Sequence, residues 1–221
     1  MNRGVLDTSV IVKSIFKPPK SLSRESYKRE LETHEKCRFV IKKIEEKDMT
    51  IYTPKVCVVE TAAVVKRLAD KDFAIKISTS VRDSYEVVDE SILFDSAWAI
   101  ALDTGCSGFD SYFIALARIK DAILFTDDGG MHFHAKEVGV VSILIREIDL
   151  KEIENFMSPI YKLEFSMIAR LFSQDPEIYG PILMLNPETK SLLDDLSSNS
   201  KKLEQIINKE DLERFKKERM I

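Results

Sequence analysis

The chain has 221 residues, of which 33 are Lys or Arg and 37 are Asp or Glu, and 44% are apolar. These proportions are typical of a globular protein, and the lack of any run of about 18 apolar residues excludes a membrane-spanning chain. The formal net charge of -4 removes the simple electrostatic argument for nucleic-acid binding, but it leaves room for a local basic patch.

The first residues, MNRGVLDTSV, lack a signal-peptide pattern, and the three cysteines are far apart without a CxxC pair. This spacing argues against a disulfide framework and against a thiolate metal site. We therefore expect a cytoplasmic protein with no membrane partner. The small numbers of Gln and Asn beside many Ile, Lys and Glu also lean toward a thermophilic source.

The pattern of apolar residues predicts strands that alternate with helices. Residues 4–12, GVLDTSVIV, predict a buried strand interrupted by polar residues, and further strands are predicted at 49–53, in YEVVD, in AILFT and at 140–144. Helices are predicted at about 22–47, from Pro54 to Asp70, and at 71–83, 90–103 and 109–120, with another after DDGG. Alternating elements with apolar strands predict a parallel sheet with helices on both faces.

Residues 17–47 carry the largest local excess of positive charge, with ten Lys and Arg against six Glu. Six basic side chains of the predicted helix could follow a phosphate backbone. The alternative is a solvated helix face in which glutamates balance the charge. The six residues are Arg24, Lys28, Arg29, Lys36, Lys42 and Lys43.

Two acidic residues occur where a carboxylate is unfavourable. Asp7 follows the apolar residues of the first strand, at the carboxyl end where ligands bind in open α/β sheets. Glu60 has Val56, Cys57, Ala63 and Val64 at helical spacing, so it is predicted to point into the buried face. An isolated buried glutamate is costly unless it is neutral, paired or bound to a metal.

Further acidic residues are predicted to lie near the same edge. Asp110 has Phe113 and Ile114 at i+3 and i+4, which places it on the inward stripe of its helix, and Asp127 and Asp128 follow the strand AILFT. A cluster of like charges requires a compensating cation, and oxygen ligands select Mg²⁺ or Mn²⁺. We therefore predict a divalent-metal site.

Each acidic residue also has an ordinary structural explanation. Asp7 could form a turn at the strand end, Asp110 could cap its own helix, and Asp127 or Asp128 could belong to a loop and cap before the next helix. Glu60 could pair with a buried cation, but no basic residue lies on its face within one turn. Coincidence at all four positions is far less probable than at any single one.

Two other patterns have ordinary explanations. Phe94, Trp98 and Leu102 form one stripe of a predicted helix and are interpreted as helix packing. His132 and His134 form an HxH pair whose members point to different faces of a helix, so a shared metal is not favoured.

These acidic segments resemble those of the PIN-domain family of metal-dependent ribonucleases. The matching segments are GVLDTSVIV, PKVCVVETAAVVKRL, GFDSYFIALA and ILFTDDGGMHFHAKEVGV, in that order. The resemblance covers about residues 1–146. It implies a three-layer α/β/α sandwich with a central parallel sheet, and a VapC-like chain with a C-terminal extension.

The resemblance also implies roles for individual residues. Asp7, Glu60, Asp110 and one of the two neighbouring aspartates, preferably Asp128, would be catalytic and hold the metal. The supporting residues would be Thr8, Ser9, Thr126 and Asp127.

The resemblance implies an endoribonuclease that uses Mg²⁺ or Mn²⁺, either in RNA processing or as a toxin with an antitoxin partner. The alternatives are an RNA- or ribosome-binding protein with little catalysis, and a phosphatase with an aspartyl nucleophile, which position 9 disfavours because it is Ser. We predict a catalytic domain at 1–146 and a helical C-terminal region at 147–221, which packs on that domain, on a second copy in a homodimer, or across the RNA channel.

Overall fold

A computed structural model describes residues 3–46 and 49–156 of the chain, with side chains through position 153. The predicted helical region beyond position 156 lies outside the described residues. None of the described helices combines the length and the apolar character needed to cross a membrane.

Five parallel strands form one sheet in the order β3-β2-β1-β4-β5. The strands are β1 Arg3–Leu6, β2 Thr50–Pro54, β3 Glu86–Val88, β4 Ile123–Thr126 and β5 Ser142–Leu144. The registers Leu6↔Phe125 and Val5↔Tyr52 fix β1 between its two neighbours. The chain proceeds outward from β1 to β3 and then returns to β4, so the strand order reverses beside β1.

Helices cover both faces of the sheet, and the predicted fold class is confirmed. One face carries α1 Thr8–Ile15, α2 Arg24–Glu46, α3 Lys55–Leu68 and α4 Lys71–Ser84, and the other carries α5 Glu90–Thr104, α6 Gly108–Lys120 and α7 Gly129–Glu137. A short helix, α8 Leu150–Phe156, contacts α2.

The centre of the sheet is close-packed around Gly4. A Cβ atom at this position would lie 2.9 Å from Ile51 Cδ1 and 3.0 Å from the ring of Phe125, which belong to the two flanking strands. Contacts this short are rare or absent for real Cβ atoms, so a larger residue at position 4 would require the side chains of Ile51 and Phe125 to shift.

The first predicted strand is too long, because β1 ends at Leu6 and residues 8–15 form α1. Asp7 has an extended backbone and occupies the N-cap position of α1. Val10, Ile11 and Val12 are buried as expected, but in a helix that packs on α2 and α3. Tertiary packing therefore overrides the strand preference of this β-branched run.

The aromatic stripe of α5 is also different from the prediction. Phe94, Trp98 and Leu102 are 55%, 60% and 68% exposed, whereas Leu93, Ala97 and Ile100 of the same helix are buried. Helix α5 packs on α6, and the residues that it buries are the second set. The interpretation of Phe94, Trp98 and Leu102 as helix packing is wrong for the described part of the chain.

The first compact unit extends to Met157. Ile148 and Ile153, which follow the last strand, have no exposed surface. The predicted division at position 146 remains a prediction.

Candidate functional site

The reversal of strand order places the ends of β1 and β4 side by side. Leu6 pairs with Phe125, and the backbone N–H of Asp7 donates to the carbonyl of Phe125 at 3.0 Å. The residues that follow the two strands, Asp7 on one side and Thr126 to Asp128 on the other, therefore meet at one edge. In open α/β sheets this crevice is where ligands bind.

Asp7 is only 5% exposed, and its carboxylate is held by hydroxyl groups. Ser9 Oγ donates to Asp7 Oδ2, and Thr126 Oγ1 donates to the same oxygen at 2.8 Å. Burial, together with a smaller effect of the Glu60 charge, raises the pKa of Asp7 to about 6 against the effect of these hydrogen bonds. No cation compensates this carboxylate among the described residues.

Glu60 comes to the site from α3. Thr8 Oγ1 donates to Glu60 Oε2 at 2.7 Å and also lies 3.4 Å from Cys57 Sγ. Glu60 is half-buried, with buried Cys57 on one side and exposed Ala63 on the other. The carboxylate therefore lies at the border of the core rather than inside it, and a hydroxyl group, not a cation, is its partner.

Asp110 and Asp128 form a second acidic pair, on α6 and α7. Burial raises the pKa of Asp110, while hydrogen bonding from Ser107 lowers it and the negative charge of Asp128 raises it. The N-cap of α6 is Ser107 and not Asp110, whereas Asp128 caps α7 by accepting from Met131 N at 3.0 Å. Asp128 is exposed.

Asp127 is in a different position from its neighbour. Its side chain has no exposed surface and pairs with Lys13 Nζ at 2.5 Å and with Arg146 Nε at 2.9 Å. Arg146 Nη2 contacts the second carboxylate oxygen at 3.0 Å. Every oxygen of this carboxylate is therefore engaged by a cation, which leaves Asp128 as the more accessible aspartate of the two.

The structure thus brings the predicted acidic residues to one edge in two electrostatic pairs, Asp7 with Glu60 and Asp110 with Asp128. Within residues 3–46 and 49–156, no three His, Cys, Asp or Glu side chains lie close enough together to hold a metal ion as they stand. The donors that Asp7, Glu60, Asp110 and Asp128 offer are all carboxylate oxygens, which is the donor set that Mg²⁺ and Mn²⁺ prefer.

Most of the predicted basic stripe on α2 is paired with glutamates. Lys42 and Lys43 lie 3.4 and 2.9 Å from Glu46, and Arg29 lies 3.7 Å from Glu30. These contacts fit the alternative of a charge-balanced helix face. Arg24 and Lys28 are exposed at the start of the helix.

Lys36 differs from the other five basic residues because it is buried. Its Nζ donates to the carbonyl of Arg146 at 3.2 Å and pairs with Glu32 at 2.9 Å. The amino group is used inside the protein, so the exposed position expected for a phosphate contact is not observed.

Sequence reasoning missed Lys13 and Arg146. Lys13 directly follows the strand predicted at 4–12, and a lysine at a strand end does not by itself indicate a site. In the helix that actually forms, Lys13 reaches both Asp127 and Glu30, with both distances below 3 Å. A lysine that lies between acidic segments is a possible counter-ion. Recognising Lys13 as one requires knowing that residues 8–15 form a helix and not a strand.

Two other features do not belong to this edge. A half-open cavity of about 390 Å³ lies between α1, α2 and α4, near the starts of β2 and β3, and Glu45 is the acidic residue in its lining. His132 faces inward, with Nδ1 3.0 Å from Ser142 Oγ, whereas His134 Nδ1 lies 2.9 Å from Glu137. The two histidines point to different surroundings, as their spacing predicts.

Comparison with known proteins matches two parts of the chain to different families. Residues 4–137 match the family model described as PIN domain. Residues 132–219 match the model described as prephenate dehydrogenase, dimerization domain.

The similar proteins include a probable arogenate/prephenate dehydrogenase from Methanocaldococcus jannaschii, 33% identical over 97 residues, which are 44% of this chain and 22% of the relative. T-proteins from Enterobacter agglomerans and Haemophilus influenzae are 39% and 43% identical over 46 and 49 residues, which are 21% and 22% of this chain and 12% and 13% of those proteins. The chain therefore spans about a fifth or less of the length of these relatives.

Proposed function

The chain belongs to the PIN-domain family, and from this premise we propose that it is a metal-dependent endoribonuclease that hydrolyses RNA phosphodiester bonds. Proteins of this family are generally nucleases. The observation that carries the proposal is the Asp7 carboxylate, which is buried beside Glu60 without a cation. Such an arrangement costs stability in the isolated protein and becomes favourable when a positive ligand binds.

The residues proposed to hold Mg²⁺ or Mn²⁺ are Asp7, Glu60, Asp110 and Asp128. Their donors fit a hard cation, because all are carboxylate oxygens from neighbouring elements at one edge of the sheet. The chemistry supplied at such a site is that of a divalent cation, which lowers the pKa of a coordinated water and stabilises charge on the leaving oxygen.

The hydroxyl residues have the supporting role of fixing these carboxylates. Ser9 and Thr126 both donate to Asp7 Oδ2, and Thr8 donates to Glu60 Oε2. Hydrogen bonds to the charged form favour the ionised carboxylate, which is the form that binds a cation. The supporting role proposed for Asp127 is charge-paired anchoring of the segment that carries Thr126 and Asp128.

The proposed partners are RNA and a second copy of the chain. The resemblance of residues 132–219 to a dimerization domain supports a homodimer. A dehydrogenase activity is not supported, because the seven glycines of these 221 residues nowhere form the GxGxxG pattern of dinucleotide-binding folds. An antitoxin partner, a processing role and a cytoplasmic location remain proposals.

A second candidate is an RNA-binding or ribosome-binding protein with little catalysis. It is favoured by one observation, namely that no three metal-binding side chains are close together in the described part of the chain. The two candidates differ in one measurable property, because RNA cleavage that needs a divalent cation is expected only from the nuclease.

The test compares the natural chain with Asp7→Asn and Glu60→Gln. We expect Mn²⁺-dependent cleavage of single-stranded RNA by the natural chain, and a loss of at least about 100-fold in each variant, because one essential electrostatic group is removed. Asp83→Asn, on an exposed residue at the end of α4, is the matched control and should cleave normally. Normal cleavage by Asp7→Asn would reject the assignment.

A further inference from the structure

The counter-ions of Asp127 come from two segments that are far from it in sequence. Lys13 reaches Asp127 from α1, and Arg146 reaches it from the segment after β5. Arg146 makes a forked contact, with Nε 2.9 Å from Oδ1 and Nη2 3.0 Å from Oδ2, and Nη2 also donates to the carbonyl of Asp127. A two-pronged, charge-assisted contact of this kind fixes orientation as well as position.

The segment around Asp127 is connected to Asp7 through the hydroxyl groups of Thr126 and Ser9. Thr126 Oγ1 donates to Asp7 Oδ2 at 2.8 Å and accepts from the N–H of Asp128 at 2.9 Å. Ser9 Oγ donates to the same Asp7 oxygen and accepts from the N–H of Asp127 at 3.0 Å. A shift of Asp127 would therefore displace the hydroxyl groups that hold the Asp7 carboxylate, and Asp128 with them.

Helix α2 supports both cations. Glu30 lies 2.8 Å from Lys13 Nζ, and Lys36 Nζ donates to the carbonyl of Arg146 at 3.2 Å. The cluster is thus connected from α2 through Lys13 and Arg146 to Asp127. Arg146 lies beyond residue 137, where the match to the PIN-domain model ends.

We propose that Arg146 and Lys13 are positioning residues of the candidate site, which hold the segment from Thr126 to Asp128 in place through Asp127. This inference rests on the proposed nuclease function. Neither cation is placed among the metal ligands, and both act through the buried carboxylate. Groups that orient metal ligands from outside typically change metal affinity or activity by about 10- to 100-fold when they are removed.

A purely structural ion cluster would have a different signature. Loss of a structural ion pair lowers the stability of the fold but leaves the folded molecules with normal affinity and normal turnover. Loss of a positioning contact weakens metal binding and lowers kcat in molecules that remain folded. A direct contact of Arg146 with RNA would instead raise KM and reduce the salt dependence of binding.

The experiment uses the full chain and the variants Arg146→Ala, Arg146→Lys and Lys13→Met. Mn²⁺ affinity is measured by calorimetry, and kcat and KM are measured with a fluorescent single-stranded RNA, at a temperature where circular dichroism shows each variant folded. Arg82→Ala is the matched control, since this exposed arginine pairs only with the neighbouring Asp83 among the described contacts.

We expect Arg146→Ala to weaken Mn²⁺ binding about 10-fold or more and to lower kcat with little change in KM. Arg146→Lys keeps the charge but not the forked contact, so it should restore part of the affinity. Lys13→Met should lie between Arg146→Ala and the natural chain. If Arg146→Ala does not fold, the lysine variant and Lys13→Met decide the question.

Variants that are folded and retain the natural Mn²⁺ affinity and kcat would overturn the inference while leaving the proposed function intact. A change confined to KM and salt dependence would also overturn it, in favour of direct RNA contact. If the natural chain neither binds Mn²⁺ nor cleaves RNA, the proposed function fails first, and the positioning role fails with it.

Discussion

The ends of β1 and β4 carry two buried aspartates with opposite electrostatic surroundings. Asp7 and Asp127 are 5% and 2% exposed and follow neighbouring parallel strands. Asp7 receives hydrogen bonds from two hydroxyl groups and faces Glu60, whereas Asp127 is enclosed by a lysine and an arginine.

The charge of Asp127 is therefore balanced by neighbouring cations, whereas the charge of Asp7 is not. A buried carboxylate with two cations is electrostatically compensated and has no capacity left for a ligand. A buried carboxylate that receives hydrogen bonds but faces no cation retains an unpaired charge, and burial raises the pKa of Asp7 to about 6. Unbalanced charge of this kind is common at functional sites.

The largest expected effect comes from changing the two neighbouring aspartates separately. Asp128→Asn should lower RNA cleavage by at least about 100-fold with little change in stability, because asparagine caps a helix as well as aspartate does. Asp127→Asn should lower the free energy of unfolding by about 3 kcal/mol, since two partly buried cations lose their partner. Denaturant unfolding and cleavage assays on both variants measure the contrast.

The loss of about 3 kcal/mol expected for Asp127→Asn is at the low end for a broken buried ion pair. The reason is that the side chains of Lys13 and Arg146 are 31% and 39% exposed. If Asp127→Asn were as stable as the natural chain, or if Asp128→Asn were equally active, the division of roles between the two residues would be wrong.

A smaller effect is expected when the unbalanced charge of Asp7 is removed in the absence of metal. The pKa of Asp7 is raised from 3.8 to about 6 in the folded protein, so between these values the folded chain keeps a proton that the unfolded chain has lost. Stability from this group is therefore complete below about pH 4 and is lost as the pH rises through 6. The loss is at most about 3 kcal/mol.

Asp7→Asn should remove this dependence and make the metal-free protein more stable than the natural chain at pH 8, but not at pH 4. The measurement is the difference in unfolding free energy between the two proteins in EDTA across this pH range, with exposed Asp83→Asn as control. A difference that stays constant with pH would contradict the unbalanced-charge interpretation.

The smallest effect is expected on α2, where glutamates already balance most of the charge. Reversal of Arg24 and Lys28, which are exposed, should weaken RNA binding several-fold and reduce the salt slope by about 0.7 per lost phosphate contact. Reversal of Lys66 and Arg67 at the end of α3 is the matched control. Equal effects of the two pairs would indicate a general charge effect rather than an RNA surface.

The order of strands and helices could be predicted because buried parallel strands are continuous apolar runs with polar ends. The length of β1 could not, since Val10, Ile11 and Val12 favour a strand locally and form a helix only because α2 and α3 pack against them. The exposure of Trp98 was missed for a related reason, since the sequence does not reveal which apolar stripe of α5 meets α6.

The acidic residues of the site could be proposed because they occur at strand ends and on inward helix faces, where a carboxylate is unfavourable. Which of them pair with cations could not be predicted. The resemblance prefers Asp128 over Asp127, but the physical reason, the approach of Lys13 and Arg146 to Asp127 from other segments, is visible only in the structure. Long-range ion pairs leave no periodic pattern, so a local interpretation of the sequence does not detect them.

The hydrogen bond from Thr126 to Asp7 joins residues 119 positions apart. During synthesis from the amino end, β1, β2 and α3 emerge early, so Asp7 and Glu60 are available while the other half of the edge has not been made. Pairing across such a distance must wait for loop closure. The edge that carries the carboxylates is therefore completed late, and Arg146, which fixes Asp127, is its last component to emerge.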